Sequence, residues 1–163
     1  MVWAHNSHLG DASATEMGRM RDELSVGQLC RERFGDDAAL IGFGTHTGTV
    51  TAASDWDEPM QIMQVRPSCA DSYEQQFHLA RVPRCFVDLH DNDALREALS
   101  EERLGRFIGV IYRPDTELYS HYAQAELPAQ FDAFVWFDET CAVRALPAFD
   151  AVHEQPDTYP FGV

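Results

Sequence analysis

Short apolar runs alternating with capped helical stretches constrain the fold of this chain more than any other feature. Val2-Trp3-Ala4 reads as a buried strand, and residues 5–21 follow as a polar loop containing Gly10 and Gly18. Ser25 then caps a helix through Leu29 and Phe34 that stops at Gly35, and residues 38–43 form a second buried strand closed by Gly42 and Gly44. Strand, loop, helix and strand make a βαβ unit, and such units build parallel sheets. Further on, residues 48–53 and 62–65 read as strands. Ser72 caps a short helix through Tyr73, Phe77 and Leu79, residues 85–89 form a strand, and residues 94–99 form a short helix. Residues 106–112 are densest in β-branched and aromatic side chains, which makes them the strongest strand; residues 131–137 are the last. Residues 147–163, with Pro156 and Pro160, read as an irregular tail. The expected class is α/β, with a mixed, mainly parallel sheet flanked by helices.

Composition narrows the partners. A net charge of -15 argues against nucleic acid, whose phosphates a chain this acidic would repel. The apolar runs at 107–112 and 133–137 are strand-sized, far too short to cross a bilayer, so no membrane partner is expected. All 12 basic residues are Arg. Without Lys there is no Schiff-base catalysis, no Ser-Lys dyad and no Walker-type phosphate loop. That leaves His and carboxylates for proton transfer. Cys30, Cys69, Cys85 and Cys141 show no CxxC pair, and Met1 is followed directly by Val-Trp-Ala-His without a basic, then apolar, leader. Reduced thiols and a cytoplasmic location are the expectation.

Three clusters could carry chemistry. His5-Asn6-Ser7-His8, followed by Asp11 and Glu16, stands at the end of the first strand, where loops of an open α/β sheet frame a crevice. Such a set can share protons, orient water or bind a metal; a polar loop that bonds only to itself is the competing reading. For a metal, His5 and His8 would need Asp11, Glu16 or a remote third ligand. Gly42-Phe43-Gly44-Thr45-His46-Thr47-Gly48 follows a strand but misses the dinucleotide spacing, so it reads as a tight turn, with His46 able to face the same crevice. Arg113 ends the strongest strand and could hold an anionic or carbonyl oxygen, or pair with Asp115 or Glu117. There is no G-x-S-x-G elbow and no evident cysteine nucleophile.

Taken together, Val2-Trp3-Ala4-His5-Asn6-Ser7-His8-Leu9-Gly10-Asp11-Ala12, Ala14-Thr15-Glu16-Met17-Gly18, Gly42-Phe43-Gly44-Thr45-His46, Gly109-Val110-Ile111-Tyr112-Arg113-Pro114 and Ser120-His121-Tyr122 resemble the second half of erythromycin esterase family proteins. The resemblance is nearer to the broad esterase-like branch, which includes succinoglycan-biosynthesis homologues, than to the macrolide-resistance enzymes. It implies a hydrolytic α/β fold with a deep cleft, and water activated by histidine and carboxylate without a covalent nucleophile, cofactor or metal. It implies His5 and His8 as the catalytic pair, moving protons and holding the water or the developing oxyanion. Asn6, Glu16, His46 and Arg113 would bind substrate, a small-molecule ester. The family's first half carries a Gly-Glu-x-x-His-Gly type motif with no counterpart here. Residues 1–163 therefore resemble the C-terminal portion of a larger α/β hydrolase-type domain, in need of a complementary N-terminal half encoded upstream. The alternatives are a non-catalytic truncated remnant, an acidic binding module, or a metal-dependent hydrolase using His5, His8 and Asp11.

Overall fold

The computed structural model describes residues 1–144; the tail expected at 147–163 lies outside them. Three short helices come first: α1 (Asn6–Leu9), α2 (Glu16–Arg21) and α3 (Val26–Phe34). The long strand β1 (Ile41–Ala52) leads to β2 (Gln61–Val65), α4 (Tyr73–Leu79), β3 (Arg84–Asp88) and α5 (Asp93–Ala98). Then come β4 (Arg103–Arg106), α6 (Glu117–Ser120), β5 (Tyr122–Ala125), α7 (Leu127–Gln130) and β6 (Ala133–Thr140). The main sheet has 4 strands in the order β2-β1-β6-β3, and β4 pairs with β5 in a separate ribbon. The class is α/β with a mixed sheet. Its parallel share is smaller than expected, because only β1–β6 runs parallel while β1–β2 and β3–β6 are antiparallel.

The expected βαβ opening is not formed. Residues 2–4 make no ladder, Val2 and Trp3 are exposed, and Trp3 only leans on Phe43 with ring centroids 5.3 Å apart. A run of three residues has little pairing to gain, and Asn6 already occupies the neighbouring strand edge. Its amide donates to Phe43 O at 2.6 Å and accepts from Phe43 N at 3.2 Å. The polar loop expected at 5–21 instead folds into short helices, because His5, Asp11 and Thr15 each accept a backbone N–H at a helix start. The helices capped by Ser25 and Ser72 stand as expected.

Gly42 and Gly44 do not close β1; the strand runs through them. They are glycine because a Cβ on Gly42 would lie 2.8 Å from the Phe131 ring, and one on Gly44 2.6 Å from Phe134. Gly48 marks the point where β1 changes partner, with β6 on one side up to Gly48 and β2 on the other from Gly48 onward. Its φ of 116° and the closeness of Thr140 O leave no room for a side chain. The strand expected at 106–112 ends at Arg106. Beyond it the backbone divides its bonds between two partners: Phe107 N donates to His121 O, while Tyr112 N donates to Ala53 O.

Strand alternation sends Phe134, Trp136 and Val87 to one sheet face, where they form a core with Leu40, Tyr73, Leu89, Leu127 and Phe131. Phe77 of α4 stacks on Phe134 and Trp136 at 5.4 and 5.3 Å. The opposite face carries Ile41, Phe43, Phe86 and Phe137, all exposed. Arg31 of α3 ties the chain ends of β1 and β6 together through Asp132, whose Oδ2 also accepts from Leu40 N at 2.6 Å.

Candidate functional site

A cavity of about 380 Å³ opens beside the free edge of β1, between Trp3, Phe43, Phe137 and Ile108, with His5, Asn6, Glu74 and Arg106 among its polar lining. His5 reaches it from the start of α1. A carbonyl can only accept, so the 2.8 Å contact to Ile108 O places the ring proton on Nε2 and leaves Nδ1 as the acceptor. Nδ1 takes the Ser7 hydroxyl at 2.8 Å and the Ser7 N–H at 3.3 Å. Burial, foremost, and then the nearby His8 and His121 hold His5 below the ordinary imidazole range, against the opposing pull of the Ile108 carbonyl. At neutral pH it is an uncharged base.

Arg106 ties the cavity lining to a buried polar network. The Arg106 guanidinium donates to Arg66 O at 2.8 Å, to His46 O at 2.8 Å, to Thr45 O and to Glu117 Oε1 at 3.2 Å. Tyr112, its phenol pushed up to about 12 chiefly by burial, donates to Glu117 Oε1 at 2.9 Å and accepts from Arg66 N. The backbone N–H of Arg106 donates to Glu74 Oε1 at 2.9 Å. Sequence reasoning passed over both Glu74 and Arg106. Glu74 reads as an ordinary acid in the first turn of a capped helix, and Arg106 as the polar start of a strand.

The residues singled out in sequence do not all meet. His5 and Asn6 line the cavity, although both ends of the Asn6 amide are spent on Phe43. His8 lies with its ring centroid 6.3 Å from that of His5, but borders a neighbouring hollow with Ser7, Thr15 and Gln130. Glu16 accepts from Gln124 N at 3.3 Å. His46 is buried on the helix-covered face of the sheet, stacked at 3.7 Å on His78 and bonded to Ser68 Oγ at 2.7 Å. Arg113 reaches outward to Asp55 Oδ1 at 2.7 Å. None of Glu16, His46 and Arg113 lines the cavity. Asp11 turns its Oδ1 to Ser13, and among the described residues no three His, Cys, Asp or Glu side chains converge as metal ligands. The four cysteines are free thiols, and no described helix is long and apolar enough to cross a membrane.

Two measurements probe this arrangement. Asn6→Ala should speed hydrogen exchange at the Phe43 amide and lower stability by about 1 kcal/mol, the scale of a partly exposed hydrogen-bonded pair; unchanged exchange would count against the edge clamp. His5, His46 and His121 are all held below the ordinary 6.5, each mainly by burial. Below about pH 6.5 the unfolded chain therefore binds more protons than the folded one, and stability should fall as pH drops from there. Glu74, held above the ordinary carboxyl range by burial, works in the opposite sense, stabilising at low pH and losing that contribution as pH rises through its folded pKa. Urea midpoints across this range, flattened in His46→Gln, would check the histidine share.

A family model described as erythromycin esterase matches residues 1–140. Among solved structures, a succinoglycan biosynthesis protein shares the fold with a TM-score of 0.70 and 21% identity, over 86% of this chain and 33% of its own. A protein from Bacillus cereus does so with a TM-score of 0.70 and 20% identity, again over 86% and 33%. The chain thus spans about a third of the length of these solved structures.

Proposed function

Because the chain belongs to the erythromycin esterase family, we propose that it is the histidine-bearing portion of a hydrolase that cleaves carboxylic esters, macrolactones among them, with activated water. The observation that carries the reading is His5: an uncharged imidazole in an apolar-walled cavity, with its proton fixed on Nε2 and its accepting Nδ1 bonded only to Ser7. A water molecule replacing the Ser7 hydroxyl at Nδ1 would find a base there, and would attack the ester carbonyl as His5 takes its proton. The carbonyl carbon gains the water oxygen, the bond to the leaving oxygen breaks, and the His5 imidazolium returns its proton to that oxygen, which departs as the alcohol. His8, one short helical turn away, takes up the proton that the released acid gives off, and Asn6 holds the β1 edge against which the substrate lies.

The other groups come from a complementary N-terminal segment. Ile41, Phe43, Phe86 and Phe137 leave one face of the sheet apolar and exposed, which a soluble domain seldom tolerates over so large a patch. A segment packed there would cover that face and wall the cavity. Groups that act as a unit fail together, so hydrolysis by residues 1–163 alone is expected to be weak or absent. The test is hydrolysis of p-nitrophenyl butyrate and of a macrolide lactone by the chain, with and without the protein segment encoded upstream. Activity that appears on adding the segment supports the reading. No activity in either state favours a non-catalytic remnant or binding module.

A further inference from the structure

Among the described residues, Glu74 carries the buried side-chain polar atom left without a hydrogen-bond partner. It is 4% exposed, Oε1 accepts the Arg106 N–H, and Oε2 has no hydrogen-bond partner among the described residues. The residue lines both the cavity shared with His5 and the narrow cleft behind it. A buried polar atom left unbonded costs the full desolvation of that atom, so its persistence at a cavity wall needs a reason other than stability. Arg106 does not neutralise Glu74 by an ion pair: its guanidinium is used by Glu117 and three backbone carbonyls.

We propose that Glu74 holds an oxygen atom of the molecule bound in this cavity, with Oε2 as the hydrogen-bond partner of an ester carbonyl or of the carboxylate of the released acid. This deepens the esterase reading of the same cavity and rests on it. The chemistry fits a carboxyl that carries its proton. The groups facing Glu74 are Arg106 from β4, Tyr122 from β5 and Ser72 at the start of its own helix, with His5 on the same cavity wall. Burial outweighs the lowering influence of Arg106 and Ser72 and keeps Glu74 above the ordinary carboxyl range. Because Oε1 already accepts the Arg106 N–H, the proton of a protonated Glu74 sits on Oε2, and Oε2–H is then the donor that an oxygen ligand accepts. Substrate and acid product share this chemistry. Glu74 is therefore a ligand-contacting residue that carries no part of the bond cleavage described above.

The probe is butyrate, followed by calorimetric titration of the chain. Wild type should bind it, and binding should weaken as pH rises and Glu74 loses its proton. Glu74→Met, similar in volume and unable to donate, should bind about tenfold or more weakly, the scale of one hydrogen bond to a charged ligand. Glu74→Gln keeps a donor, and should bind with a weaker dependence on pH than wild type, the remainder coming from His5 in the same cavity. Should the Met variant not fold, the comparison of wild type with Glu74→Gln across pH decides. Failure of wild type to bind butyrate, or binding by Glu74→Met equal to wild type, overturns the proposal. So does a pH dependence in Glu74→Gln equal to that of wild type. Glu74-dependent butyrate binding without ester hydrolysis, even beside the N-terminal segment, would remove the esterase reading and leave Glu74 as a carboxylate site. Hydrolysis lost in His5→Asn but kept in Glu74→Met would do the reverse.

Discussion

Arg106→Met should lower the stability of this chain by about 3–5 kcal/mol. The reason lies in what the guanidinium leaves behind. Its side chain is 2% exposed and that of Glu117 is 8% exposed, so the Glu117 carboxylate would remain buried with only the Tyr112 hydroxyl for company. The carbonyls of Thr45, His46 and Arg66 would lose their donor as well. Arg106→Lys should recover only part of the loss, since one ammonium cannot span four acceptors in the planar geometry of the fork. Arg106→Met combined with Glu117→Gln should be less damaged than Arg106→Met alone, because the uncompensated charge is then gone. Urea unfolding of wild type, Arg106→Met, Glu117→Gln and the double variant reads the cycle directly. A change within about 0.5 kcal/mol for Arg106→Met, the range of an ordinary surface substitution, would mean that the network contributes nothing to the fold.

His5→Asn should reduce kcat/KM for ester hydrolysis by about 10²–10⁴-fold, the contribution of a positioned general base. Asparagine is chosen because His5 is also the N-cap of α1, where its side chain accepts the Ser7 N–H. Asn retains a good cap while offering no titratable base, so loss of activity without loss of stability separates the two roles. In the wild type, kcat/KM should fall on acidification with an apparent pKa below the ordinary 6.5, since burial, His8 and His121 all disfavour the imidazolium. Measurement requires the active assembly with the N-terminal segment. A variant within twofold of wild type there, or an acidic limb unchanged by the substitution, would assign the chemistry to other groups.

The site was legible in part, and the division follows distance along the chain. The histidine motif, the ester-hydrolase family and His5 as a cavity residue could all be read from contiguous residues. Arg106, Glu74 and Glu117 could not. Each looks like an ordinary surface charge until α4, β4 and α6 bring them together, Glu74 lying 32 residues from Arg106 and Arg106 11 from Glu117. Arg113, by contrast, was expected to face a crevice because it ends a strand-like run. The run leaves β5 after Phe107 to pair with the end of β1, and that turn carries Arg113 to Asp55 at the surface.

Helix starts at Ser25 and Ser72, the glycine stop after Phe34 and the extended nature of β2, β3, β6 and the two ends of β1 were determined by sequence alone, because caps and side-chain alternation act within a few residues. Only tertiary structure decided which strands pair and in what direction, that residues 2–4 lie unpaired beside β1, and that the glycines of β1 face Phe131 and Phe134 instead of making a turn. Each of those outcomes depends on a partner brought from far along the chain, whose edge, volume or charge no local pattern records.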